Sequence, residues 1–218
     1  MSRAPFIVFE GIDRSGRKEI CQQIVNKLRN TKDPAQFNEK FDPLLHSFPR
    51  TFTAVGWLLN LSINKDVELN NLVFHHLASA NIWETKIETE EKLVGGGPVF
   101  AEPYVAYTSA KTIATGDLSK DWCQQFFTGL PKPDLTIFFD GTPVEYQPDF
   151  IDWEDQYDQD EFQQKINSTL QNNCDEDTFW MTVDTTGKTL TQIVDQLFPI
   201  ILKYITSFSR AELPIKHY

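Results

Sequence analysis

The chain has 218 residues, with 40% hydrophobic, 13% aromatic and 23% charged side chains, which excludes a disordered polymer and suits one globular domain over residues 1–218. A net charge of −11, from 20 basic and 31 acidic residues, excludes a general binder of nucleic acid or of anionic membranes. No apolar run approaches the roughly 20 residues of a membrane span, and Cys21, Cys123 and Cys174 form neither a CxxC pair nor an even set, which excludes a disulfide framework or zinc site.

Residues 1–5 lead straight into a strand-like run without the apolar stretch of a signal peptide, so the expected compartment is cytoplasm or nucleus. Pro5 to Glu10 is a short continuous apolar run ending at Gly11 and reads as a buried strand. Ile20, Ile24 and Leu28 follow at helical spacing, so the chain opens with a strand, a glycine turn and a helix. Leu44 to Phe48 is a second candidate strand, closed by Pro49, and Thr53 to Leu61 reads as helix.

Asp66 to Leu93 carries one apolar stripe of helical period and is expected to form one long helix, capped by Asp66 and ended by Gly95-Gly96-Gly97. Pro98 to Glu102 is a third strand, Ser119 to Phe127 a short helix, and Asp134 to Asp140 a strand buried on both faces. Glu161 to Leu170 reads as helix and Thr178 to Asp184 as the last strand. Leu190 to Ser207 is a closing helix, bent or restarted at Pro199. Alternating strands and helices imply a parallel α/β sheet with helices on both faces.

A phosphate-binding loop reads G-x-x-x-x-G-K-[ST] between a strand and a helix. Gly11-Ile12-Asp13-Arg14-Ser15-Gly16-Arg17-Lys18 occupies that context with both glycines correctly spaced. Arg17 stands at the lysine position and Lys18 at the hydroxyl position. Arginine keeps the charge but brings a larger planar head. A charged ammonium has no lone pair for Mg²⁺, so the second exchange removes a metal ligand. The alternative is a strand–helix turn that uses glycine for geometry alone. Thr186-Gly187-Lys188-Thr189 is a decoy, because Thr182 stands where the first glycine would be.

Several further segments carry a resemblance. Phe6 to Arg14, Phe48-Pro49 with Gly56, Ser79-Ala80-Asn81 with Trp83-Glu84, Asp121-Trp122-Cys123, and above all Gly129 to Leu135 (GLPKPDL) resemble the thymidylate kinases of eukaryotic and poxviral type, over roughly residues 5–200. The resemblance implies the P-loop nucleoside-monophosphate kinase fold, a parallel sheet of about five strands flanked by helices. It also implies a homodimer, or a heterodimer with a related chain, through the helices around 53–61 and 67–93.

Carried over position by position, the resemblance keeps Asp13, near the sugar and phosphate of the monophosphate, and Arg14 of the loop. Elsewhere the residues depart from it. Thr51 stands where an arginine grips the monophosphate, with Arg50 one position early. Ala78 replaces a stacking phenylalanine, Ile82 a base-reading arginine, and Glu102-Pro103-Tyr104 an Asp-Arg-Tyr triplet. The nucleotide-binding candidates are therefore Gly11, Asp13, Arg14, Gly16, Arg17, Lys18 and Arg50. Arg14, Arg17 and Glu102 are the vestigial catalytic candidates, and no resident metal site is expected.

The charge is also uneven. Residues 145–177 hold 11 acids and one lysine, or −10, which leaves −1 for the rest. The resemblance places a mobile phosphate lid at about 141–160, where an acidic segment repels ATP; Gln156 stands at the lid arginine position. The first expectation is a catalytically degenerate thymidylate kinase-like protein acting through an unidentified protein partner, with no cofactor. The second is an active dTMP kinase with a rearranged phosphate site, using ATP and Mg²⁺, with Arg17, Arg14 and Arg50 sharing the phosphates and Glu102 and Asp13 holding Mg²⁺. The third is a nucleotide sensor without turnover.

Overall fold

The computed structural model describes residues 3–31, 42–116, 118–145, 160–172, 179–208 and 213–218. Five strands form one parallel sheet in the order β2-β3-β1-β4-β5: β1 Phe6–Gly11, β2 Leu44–Ser47, β3 Val99–Glu102, β4 Leu135–Asp140 and β5 Phe179–Asp184. β1 lies between β3 and β4, in register Val8 with Ala101 and Val8 with Thr136. All six of its residues are buried, which is why its sequence is continuously apolar rather than alternating.

Successive side chains of β1 feed opposite cores. Ile7 and Phe9 face α1 (Arg17–Asn30) and α8 (Leu190–Phe208), whose Ile20, Ile24, Leu28, Leu197 and Ile201 close over Phe100 and Phe139. Phe6 and Val8 face the other layer, where Ile82, Phe127 and Leu130 pack against Val99 and Ala101. A third cluster joins Tyr107 and Ala110 to Phe138, Ile166 and Leu170. Parallel order places the C-terminal ends of all five strands, and the loops after them, at one edge.

The single helix expected over 66–93 is two helices. α3 spans Asn71–Trp83 and α4 spans Lys86–Val94, after α2 at Ala54–Ile63. Asn70, not Asp66, caps the first, its side chain accepting from the Val73 N–H at 2.9 Å. The break comes at Glu84-Thr85, where the Thr85 hydroxyl donates to the Ile82 carbonyl at 2.7 Å. α5 (Val105–Ala114) carries no expectation from the sequence, since the polar Ser109 and Thr112 on its buried face hide the period. α6 is Lys120–Gln125, α7 is Asp160–Gln171, and α8 runs unbroken through Pro199. Among the described residues no helix is long and apolar enough to cross a membrane.

Candidate functional site

Gly11 ends β1, and the chain turns through residues 12–16 before α1 begins at Arg17. Gly16 caps the helix with φ 75°, a left-handed conformation that glycine adopts without a Cβ penalty. The sequence thus builds the strand–loop–helix that presents a helix N-terminus to an anion.

Arg17 does not point outward from this loop. Its Nη1 donates to the Gly11 carbonyl at 2.7 Å and to the Ile12 carbonyl at 2.6 Å, and its Nη2 donates to Asp13 Oδ1 at 3.0 Å. The guanidinium lies over the Tyr107 ring, 4.4 Å from its centroid, and the residue is 8% exposed. Desolvation opposes its charge, but Asp13 outweighs that and keeps the guanidinium cationic.

Asp13 is the hub. Besides Arg17 it accepts from the Tyr107 hydroxyl at 2.5 Å and from Gln163 Nε2 at 3.2 Å, while its own N–H donates to Gln163 Oε1 at 3.2 Å. Desolvation pushes its carboxyl up; the Lys111 and Arg17 charges and the Tyr107 hydroxyl outweigh it and hold the group well below the usual carboxylate range. Lys111 lies between two rings, with Nζ 5.9 Å from the Tyr107 centroid and 5.7 Å from that of Phe74. The loop is therefore tied to α5 through Tyr107 and to α7 through Gln163.

Glu10, on β1 beneath the loop, is 1% exposed and accepts the backbone N–H groups of Tyr104, Ala106 and Tyr107, each at 3.2 Å. Burial pushes its carboxyl up to about 7 against the pull of Arg17 and these donors. Glu102, at the end of β3, is also buried and raised, with partial relief from the Ser47 side chain, Arg17 and Lys18. Lys18 itself is exposed on the first turn of α1.

These shifts set a pH dependence. His46 on β2 is buried against Thr89 Oγ1 at 3.1 Å, and burial together with Arg50 pushes it down to about 4. The unfolded imidazole titrates near 6.5, so the stabilisation is complete above that pH and is lost as pH falls toward 4. Glu10 has the opposite sign: raised in the folded state, it contributes below its unfolded pKa and is lost as pH rises through about 7. In His46→Gln, the fall in unfolding free energy between pH 6.5 and 4 is expected to shrink by roughly 1–3 kcal/mol. Denaturant titration at several pH values reads this, and an unchanged slope would assign the loss to His75, lowered in the same direction by burial.

Of the residues singled out from sequence, the structure brings Gly11, Asp13, Gly16 and Arg17 into one cluster, with Arg14 half-buried in the same loop. Arg50 is engaged elsewhere: its Nη1 lies 3.3 Å from Glu88 Oε2 and its guanidinium lies over Phe52 at 4.8 Å. Ile82 is 1% exposed and packs with Phe6, Val8 and Tyr104 in the core. The residues at the loop do not form a fitting Mg²⁺ set. Lys18 has no lone pair, the Asp13 carboxylate faces a guanidinium, and no group of three His, Cys, Asp or Glu side chains among the described residues is arranged to hold a metal. The lid positions 146–159, with Gln156 and most of the acidic run, lie outside the described residues.

Tyr107, Gln163, Lys111 and Glu10 were missed from sequence. Only the i, i+4 spacing of Tyr107 and Lys111 hints that two of them share a helix face.

The family profile for thymidylate kinase matches residues 9–197. The thymidylate kinase of Schizosaccharomyces pombe is 33% identical over 170 residues, 78% of this chain and 77% of that one. The Plasmodium falciparum thymidylate kinase is 30% identical over 205 residues, covering 94% and 90%. Among solved structures, the thymidylate kinase of Candida albicans superposes with a TM-score of 0.81 at 27% identity, over 100% of this chain and 99% of that one.

Proposed function

The chain belongs to the thymidylate kinase family, and from that premise we propose that its reaction is phosphoryl transfer from ATP to thymidine monophosphate through a rearranged phosphate site. The observation that carries this reading is the strand–loop–helix with Gly11 and Gly16 in place and the cation of Arg17 held in the loop. Phosphoryl transfer asks mainly for positioning and for fixed positive charge around the transferred group. The N-terminus of α1 supplies oriented N–H groups. Arg17, turned toward the phosphates, supplies the charge that lysine supplies in the usual loop, and Arg14 adds a second cation from the loop. Mg²⁺ would travel with ATP as part of the substrate.

In a coupled assay with thymidine monophosphate and ATP–Mg²⁺, turnover is expected, and Arg17→Ala is expected to lower it by roughly 10²–10³, the scale for removing one donor to developing charge. Unchanged turnover in that variant rejects the scheme.

A second reading is favoured by Ile82, buried in the core where the family reads the base, together with Pro103 and Lys18 at phosphate and metal positions. On this reading the protein is catalytically degenerate and works by protein contact, by self-association or with a related chain. Its support is the exposed apolar side chains of Trp57 on α2 and of Leu72 and Val73 on α3. It requires no turnover above background, and a dimer in sedimentation either of this chain alone or with a related chain. A rise in melting temperature with nucleotide but without turnover would favour a sensor instead.

A further inference from the structure

We infer that Arg17 is an internal latch on the phosphate loop: its guanidinium occupies the loop's own acceptors and must leave Asp13 before the loop takes a polyphosphate. The inference rests on the reading that this loop is a phosphate site. It concerns how that site is closed, not what reaction follows.

Three features carry it. First, the guanidinium fork is spent inward. Both terminal nitrogens are used, one on two consecutive loop carbonyls and the other on Asp13, and the planar face rests on Tyr107. A cation so placed neutralises the loop's carbonyls and Asp13 rather than an incoming anion. Lysine, a point charge without a fork, cannot span two carbonyls, a carboxylate and a ring at once.

Second, the latched loop is incompletely satisfied. Arg17 Nε and Ser15 Oγ are both buried, and neither has a hydrogen-bond partner among the described residues. Buried polar atoms are normally paired, because leaving one unpaired costs its desolvation. Two such atoms on residues two positions apart, in a loop built for an anion, mark a second state in which a phosphate oxygen serves the guanidinium.

Third, the latch is braced from two other elements. Tyr107 of α5 donates to Asp13 from one side and Gln163 of α7 bonds both its backbone and its carboxylate from the other. The hub is thus fixed in place whether or not Arg17 is on it. A polyphosphate competes with Asp13 for the guanidinium, and once Arg17 swings it becomes the cation the reaction needs.

The test is calorimetric titration of the full chain with inorganic tripolyphosphate, and separately with ATP, in wild type, Arg17→Lys and Tyr107→Phe. Arg17→Lys keeps the charge and loses the fork, so tripolyphosphate is expected to bind roughly tenfold more tightly than to wild type. Equal or weaker binding in an Arg17→Lys protein that keeps a cooperative melting transition overturns the latch. If Arg17→Lys does not fold, Tyr107→Phe decides: it keeps the ring under the guanidinium and removes the hydroxyl that shares Asp13 Oδ1 with Arg17, so the carboxylate holds the guanidinium more tightly. Binding weakened by roughly threefold then upholds the latch, and equal or tighter binding overturns it. Turnover is read in parallel. Tighter binding without turnover in any variant leaves the latch standing and the kinase reading fallen; turnover with binding insensitive to Arg17→Lys does the reverse.

Discussion

Asp134→Ala is expected to lower the unfolding free energy by about 3–5 kcal/mol, the range for removing one partner of a buried ion pair. Asp134 accepts both arms of the Arg3 guanidinium, at 2.6 and 2.7 Å, and the Phe6 N–H at 2.8 Å. The two side chains are 5% and 11% exposed. Arg3 spends its remaining donors on the carbonyls of Ala4, Leu213 and Pro214, and its guanidinium lies over Phe208 at 5.1 Å. One carboxylate therefore pins the start of β1 to the start of β4, and through Arg3 it holds the C-terminal segment. Removing it strands a buried guanidinium and orphans a strand N–H. Urea denaturation with an unchanged m-value reads the loss. A double variant with Arg3→Ala is expected to cost less than the two single changes added together, because they share one interaction. Simple additivity would deny the coupling.

Gly56→Ala is the second large effect, expected at about 1–3 kcal/mol of destabilisation. Alanine in a helix interior ordinarily stabilises relative to glycine by roughly 1 kcal/mol, so the sign of the change is itself the test. A Cβ at position 56 would stand 1.9 Å from the Arg50 carbonyl oxygen, 2.4 Å from its carbon and 3.1 Å from Asn81 Nδ2. The obstruction is backbone, so α2 or the turn before it must move. That turn is already held by Asn81, whose Oδ1 accepts the Arg50 N–H at 2.7 Å and whose Nδ2 donates to Thr53 Oγ1 and Glu84 Oε2. A melting temperature raised by Gly56→Ala would show that this approach carries no constraint.

Asp134 in Gly129 to Leu135, Asn81 in Ser79 to Asn81, and Gly56 after Phe48-Pro49 each hold elements together rather than touch the loop. Their persistence marks the scaffold. The chemistry rests on the loop, where Arg17 and Lys18 stand at the lysine and hydroxyl positions, and the assay of Arg17→Ala reads it directly.

Much was legible in the amino-acid order alone. Strands buried on both faces announce themselves as continuous apolar runs, so β1 and β4 were placed to within a residue. The glycine spacing of the loop and the family followed from local patterns as well. The break between α3 and α4 was not legible, because the apolar stripe continues across Glu84-Thr85 and the interruption comes from side-chain bonds to the backbone. α5 was missed because its buried face is built largely from Tyr107, Ser109, Ala110 and Thr112, which carry little apolar periodicity.

The direction of the Arg17 side chain lay beyond any local pattern. A guanidinium after Gly16 has the same sequence signature whether it faces a phosphate or folds back. The choice is made by Asp13 beside it, by the ring and hydroxyl of Tyr107 from α5, and by Gln163 from α7, which only the folded sheet brings together. The order of residues determined a parallel sheet carrying a phosphate-type loop, because those features are short-range in the chain. Tertiary packing decided that the loop is occupied by its own arginine, because charge pairing and ring contact act through space between elements far apart in sequence.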